Sequence, residues 1–268
     1  MSNGKTRKTK EKKNPDPIAD STMSLGDHIE ELRARMILAI IGLVVGGAIC
    51  LIFGSKIIAF MERPYISVIG QENRLQALHP IDGFVTYLRI ALIAGLIFSS
   101  PWVFYQLWMF VAAGLYPHEK RYVYLVTPLS AVLFVTGALF FMLVIAPAAL
   151  RFLIAFNKNV LGVNSNFTFK DYVSFVSTLM LVFGLAFQTP LAIFFLTRTG
   201  IVSIQTMRES RKYFLVLAFV VGAVATPGPD PFSQIALAIP LYLLFELGML
   251  LSYLAGRKKK KRTQNDQQ

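Results

Sequence analysis

Six uncharged stretches divide this chain, and no other feature constrains its fold as strongly. They run Met36–Ser55, Ile90–Tyr116, Tyr122–Leu150, Tyr172–Thr197, Tyr213–Pro229 and Phe232–Gly256, the last interrupted only by Glu246. A helix rises about 1.5 Å per residue, so about 20 apolar residues cross a hydrocarbon core about 30 Å thick. The chain is 54% hydrophobic, with a mean hydropathy of +0.54, far from a soluble domain of this size. The expected fold class is an all-α membrane protein with six transmembrane helices. The fifth stretch is short, because only 13 residues, Tyr213–Ala225, separate Lys212 from the breaker segment Thr226-Pro227-Gly228-Pro229-Asp230-Pro231. As a helix they reach about 20 Å. Such a span is either buried against neighbours or sits in a locally thinned bilayer.

Loop charge gives the orientation. One side collects twenty Lys and Arg: eight from Lys5 to Arg35, then Lys120 and Arg121, then Arg198, Arg208, Arg211 and Lys212, and six from Arg257 to Arg262. The other side has six (Lys56, Arg63, Arg74, Arg151, Lys158 and Lys170), and Arg89 lies within the outer end of the second span. Both termini are therefore expected in the cytoplasm, in a multi-pass protein of the cytoplasmic (inner) membrane. The net charge of +12 follows from this bias and from attraction to anionic lipid; no nucleic acid is needed to explain it. Residues 1–23 and 257–268 are polar and basic and read as disordered cytoplasmic tails around a six-span domain, 24–256. A single cysteine, Cys50, excludes an intrachain disulfide.

Two carboxylates stand where spans meet the basic side. Ser24-Leu25-Gly26-Asp27 resembles a helix start, and Glu31 lies on the helix that follows, with Arg35 four residues on. Its plainest reading is an i,i+4 ion pair. Glu119 lies in the tight loop Gly114–Arg121, where Pro117 fits the first turn of the third helix and places Glu119 near its positive end. Alternatively, both carboxylates converge on a guanidinium, whose planar fork a carboxylate accepts in two places.

Polar groups inside the spans are costly and point to function. Gln188 and Glu246 are the clearest, while Ser174, Ser177 and Gly184 read as helix-packing contacts. Arg89 is expected to extend outward or to meet Asp82. Pro101, Pro128, Pro147, Pro190 and Pro240 predict kinks and a concave bundle. No nucleophile elbow, zinc-protease or phosphate-loop motif occurs, and His28, His79 and His118 are scattered. The expectation is no enzyme, no cofactor and no metal.

Several motifs in fixed order carry a resemblance. They are His28-Ile29-Glu30-Glu31-Leu32-Arg33, Ser100-Pro101, Tyr105-Gln106-Leu107-Trp108-Met109-Phe110, the loop Gly114–Arg121, and Phe183–Pro190. Thr226-Pro227, Asp230–Gln234 and Leu237–Glu246 complete the set. From about Ser24 to Gly256 the chain resembles the TatC family, the polytopic subunit of the twin-arginine protein translocase. The resemblance implies a glove-like six-helix bundle with two short final helices and both termini in the cytoplasm. It implies a signal-peptide receptor and translocase core, binding the paired arginines of precursor proteins and exporting folded proteins at the expense of the proton-motive force. Partners would be single-span subunits of the TatA and TatB type, in an oligomeric receptor complex. Signal-peptide binding maps onto Glu31 and Glu119, with Arg33, Phe110, Tyr116 and His118 in the same motifs. Partner docking maps onto Thr226, Gln234 and Glu246, and the membrane-embedded polar position onto Gln188. Many members carry Glu at that last position; Gln188 cannot titrate, so its role would be hydrogen bonding. The alternatives from other classes are a secondary transporter or channel for a small solute, which would want paired repeats the chain lacks, and a membrane scaffold.

Overall fold

The computed structural model describes residues 25–70, 75–115, 120–163, 167–225 and 231–265. The first apolar stretch forms α1 (Leu25–Ile52). After a break at Phe53, two short helices follow that the apolar runs do not foretell, α2 (Gly54–Met61) and α3 (Arg63–Ile69). The second stretch forms α4 (Asp82–Ala113), which continues through Pro101. The third begins as α5 (Lys120–Phe140), passes through a π-helical turn at Phe141–Ile145 and continues as α6 (Ala146–Val160). Pro147 lies just past that turn, where its missing N–H falls in a ladder already out of register.

The fourth stretch is split into α7 (Phe169–Ala186) and α8 (Thr189–Arg198). Pro190 stands in the first turn of α8, where no intrahelical donor is required of it. Then come α9 (Ile204–Glu209), α10 (Arg211–Ala225) and α11 (Pro231–Asn265). Thus the prolines act unequally: helix breaks or π turns accompany Pro147 and Pro190, whereas Pro101, Pro128 and Pro240 lie inside continuous helices.

Among the described residues, five helical stretches are long and apolar enough to cross a membrane: His28–Ile52, Asp82–Ala113, Val123–Val160, Phe169–Arg198 and Leu237–Leu254. The fifth expected span, α10, has 15 residues, about 22 Å of helix, and is short as its sequence indicates. The apolar part of α11 has 18 residues, but the helix itself runs on through Arg257–Arg262 to Asn265. Composition predicts a disordered tail there. Lys and Arg are good helix formers, and no proline interrupts a helix already established upstream.

Close backbone approach fixes α1 against α4. A Cβ on Gly95 would lie 2.6 Å from the Cα of Gly47, and one on Gly46 would lie 2.9 Å from the carbonyl oxygen of Gly95. Small residues that let backbones meet are the usual adhesive between helices in lipid, where apolar burial gives no driving force. Two side chains of α4 clamp the same seam: Trp102 Nε1 donates to the Leu38 carbonyl at 2.9 Å, and the Tyr87 hydroxyl donates to the Leu51 carbonyl. Ile37, Ile41, Val44 and Val45 on the other faces of α1 remain exposed.

The main core lies between α5, α6 and α7, around Phe141, Met142, Val176, Leu179 and Phe183. Here Gly184 does pack closely, since its Cβ would lie 2.7 Å from the Phe134 ring. At the end opposite Glu31, buried Tyr172 donates to the Met61 carbonyl at 2.7 Å, tying α7 to α2. Asp82, also buried, accepts from the His79 backbone N–H at 3.1 Å and pairs with Lys170 at 3.5 Å.

Candidate functional site

The helical start at α1 and the end of α4 bring the first group of candidates together. Glu31 and Arg35 are one turn apart on α1, and Glu31 Oε1 accepts from Arg35 Nε at 2.7 Å. The same guanidinium donates from Nη1 to Oε1 of Gln106 on α4, at 3.1 Å. Gln106 is buried, so its amide oxygen is a fixed anchor, and Arg35 is held between it and the carboxylate. Three residues before Glu31, the His28 ring stacks on Phe110 with centroids 4.6 Å apart. Since Gln106 and Phe110 are one turn apart on α4, the two contacts form a ladder between the helices.

Glu31 is therefore engaged as its plainest reading foresees, by a guanidinium, and its side chain keeps 29% exposure. Arg33 is exposed on the neighbouring face. Tyr116, His118 and Glu119 lie outside the described residues, as do Thr226, Pro117 and Ser24 of the expected helix start. Gln106 sits in an otherwise apolar run with nothing in its spacing to mark a partner 71 residues away.

The membrane polar groups do not gather into one site. Gln188, at the break between α7 and α8, donates through Nε2 to the Ser130 carbonyl of α5 at 2.9 Å. The hydroxyl of that same fully buried Ser130 accepts from Trp108 Nε1 of α4 at 2.7 Å. Gln188 and Trp108 thus meet α5 at one residue, and three spans are joined by neutral hydrogen bonds. Gln234 of α11 donates to the Phe219 carbonyl of α10 at 2.7 Å, close beside Gly222. Glu246 accepts from Arg211 Nη2 at 2.9 Å through Oε2 and from the Tyr242 hydroxyl at 2.8 Å through Oε1. Glu246 is thus held within the bundle by a guanidinium and a hydroxyl.

Arg89 departs from its expectation. Asp82 is occupied by Lys170 and His79, and Arg89 instead donates from Nη1 to Ser174 Oγ at 2.8 Å and from Nη2 to Thr178 Oγ1 at 3.1 Å, both on α7. Ser174 is consequently a hydrogen-bond acceptor for a cation rather than a simple packing residue. A periodic reading of either helix alone cannot reveal this pairing.

Beside the stack of Phe214 on Phe245, with centroids 4.3 Å apart, the Arg211–Glu246 pair ties the start of α10 to α11. Both side chains are partly exposed, so solvent and headgroups screen the pair and its worth is about 1 kcal/mol or less. Glu246→Gln is expected to keep the Tyr242 contact and loosen α10. Hydrogen exchange should accelerate at amides 211–225 while α7 is unchanged; equal protection in both proteins would refute the staple.

Fold and polar placement define a multi-pass helical membrane protein whose ionic and aromatic ladder joins the first two long helices at one end. A family model described as Sec-independent protein translocase protein (TatC) matches residues 27–240. The Aquifex aeolicus (strain VF5) Sec-independent protein translocase protein TatC is 36% identical over 238 residues, covering 89% of this chain and 98% of that protein. Its Escherichia coli (strain K12) counterpart is 38% identical over 233 residues, covering 87% and 89%. A crystal structure of the Twin Arginine Translocase Receptor TatC superposes with a TM-score of 0.77 at 35% identity, covering 85% of this chain and 99% of that one. The chain belongs to the TatC family.

Proposed function

We propose that this chain is the signal-peptide receptor and core subunit of a twin-arginine translocase, acting in export of folded proteins driven by the proton-motive force. Membership of a family of Sec-independent translocase proteins supports the class of function. The observation that carries the site is the guanidinium already seated on Glu31. A carboxylate that binds Arg35 at 2.7 Å from within its own helix has the geometry and charge to bind an arginine presented from outside. Arg35 also stays tethered to Gln106, so it can yield Glu31 to a ligand without losing all its partners. In this reading Glu119 supplies the second carboxylate for the second arginine, with Arg33, Phe110, Tyr116 and His118 around them.

The bundle sits in the cytoplasmic membrane with both termini inside, in keeping with twenty Lys and Arg on one side against six. Single-span partners of the TatA and TatB type dock along the last two spans, near Thr226, Gln234 and Glu246, and assemble with this chain into an oligomeric receptor. Gln188 acts as a neutral hydrogen-bonding joint between helices. A solute carrier has no observation in its favour here.

The test is site-specific crosslinking of a twin-arginine signal peptide and its Lys-Lys variant to probes flanking Glu31 and Glu119. Labelling by the Arg-Arg form that disappears with Lys-Lys is the expected result, because lysine is a point charge without the two-pronged fork. Equal labelling by both peptides, or none at this face, refutes the receptor assignment.

A further inference from the structure

Arg89 is placed in a way the translocation reading does not use. The side chain is exposed, and its guanidinium is gripped by two hydroxyls, Ser174 Oγ and Thr178 Oγ1, one turn apart on α7. Among the described residues no carboxylate lies within ion-pair distance of it. A guanidinium has five donors, and these two acceptors are uncharged, so the cation is oriented but not neutralised. A fixed charge at the edge of a bilayer calls for a counter-anion.

Its depth identifies where that anion comes from. Helix α4 has 32 residues, about 48 Å, and overshoots a core of about 30 Å by roughly 9 Å at each end. With α4 centred on the core, Arg89, seven residues in from Asp82 or about 10 Å, falls at the boundary between hydrocarbon and headgroups. Ser174 and Thr178 hold the guanidinium at that level rather than letting it extend outward. One turn before Ser174, on the same face of α7, stands Lys170, more than half exposed and paired with buried Asp82. Arg89 and Lys170 against Asp82 leave one positive charge, which one phosphodiester would balance; the carboxylate of Asp171, in the same turn as Lys170, accepts from the Thr168 hydroxyl at 2.7 Å and pairs with neither cation. Beside and below Arg89 the exposed faces are apolar: Leu88 and Leu92 on α4, and Leu185 further along α7.

We propose that Arg89, held by Ser174 and Thr178 and flanked by Lys170, binds the phosphate of an anionic phospholipid in the leaflet at the Asp82 end of α4, with the lipid's chains lying along Leu92 and Leu185. The fork of Arg89 contacts the phosphate oxygens with the donors the hydroxyls leave over, and Lys170 closes the rim. The site is separate from the Glu31 ladder, which lies at the other end of α4.

The test uses the full-length protein purified in detergent and titrated with phosphatidylglycerol, bound lipid being counted by native mass spectrometry. Arg89→Gln should weaken binding of the first lipid about tenfold, from the loss of the charge-assisted bonds. Arg89→Lys should fall between the two, because a point charge replaces the fork. The double variant Ser174→Ala, Thr178→Ala keeps the charge and removes the grip, and should also weaken binding; it and Arg89→Lys decide the matter if Arg89→Gln does not fold. Unchanged binding in the folded variants overturns the site. Inorganic phosphate that displaces the lipid as effectively as phosphatidylglycerol does would make this a free-anion site and overturn the lipid assignment. Signal-peptide binding plays no part in this readout.

Discussion

Glu31→Ala is expected to weaken binding of a twin-arginine signal peptide roughly 10- to 150-fold, the equivalent of about 1.5–3 kcal/mol for one charge-assisted hydrogen bond. Two effects add in this variant. The acceptor for a ligand guanidinium is lost, and Arg35, released from its 2.7 Å contact, becomes an uncompensated cation beside the site. A cycle separates them. If released Arg35 repels the peptide, Glu31→Ala with Arg35→Gln should bind better than Glu31→Ala alone. If only the acceptor matters, the double variant should match the single one. Arg35→Gln by itself leaves Glu31 unoccupied and should not weaken the peptide. Fluorescence anisotropy of a labelled peptide, with the protein in nanodiscs, reads all four. Binding unchanged by Glu31→Ala would remove this carboxylate from the receptor site and leave it as a helix-stabilising ion pair.

What the sequence reveals and what it hides divide along a physical line. Long apolar runs are legible because crossing hydrocarbon takes a fixed length of helix, so α1, α4, α5–α6, α7–α8 and the short α10 fall where the runs predict. Helices α2 and α3 escape that reading because neither is long enough to span, and Lys56, Glu62 and Arg63 break up the apolar residues around them. The Glu31–Arg35 pair is legible because it is local, four residues apart on one helix. Gln106, Ser130 and the hydroxyls that hold Arg89 are not, because their partners lie 71, 58 and 85 or more residues away. Glu246 shows both sides of the division. As a charge in an apolar run it is conspicuous, yet its cation, Arg211, lies 35 residues upstream among loop arginines that topology alone explains. Likewise composition registers the charge of Arg257–Arg262 and not the helix feeding into it, which runs on to Asn265.

Two neighbouring glycines provide the sharpest test of how the Glu31 ladder is supported. Gly95→Ala is expected to destabilise the protein by about 1–3 kcal/mol, the usual cost of overpacking a close-packed seam. The new Cβ would meet the Cα and N of Gly47 at 2.6 Å, and backbone cannot move aside as a flexible side chain can. Gly47→Ala, at the same crossing, should be nearly neutral, because a Cβ built there meets nothing within 4 Å. Helix propensity favours alanine at both positions, so the predicted difference comes from contact alone. The consequence reaches the functional end of the molecule. Pushing α1 away from α4 strains the Arg35–Gln106 bond at 3.1 Å and the His28–Phe110 stack, both of which depend on the same pair of helices. Gly95→Ala should therefore lower both the thermal midpoint and the affinity for the twin-arginine peptide, while Gly47→Ala leaves both near wild type. If the two variants behave alike, the glycine crossing is not what sets the distance between α1 and α4.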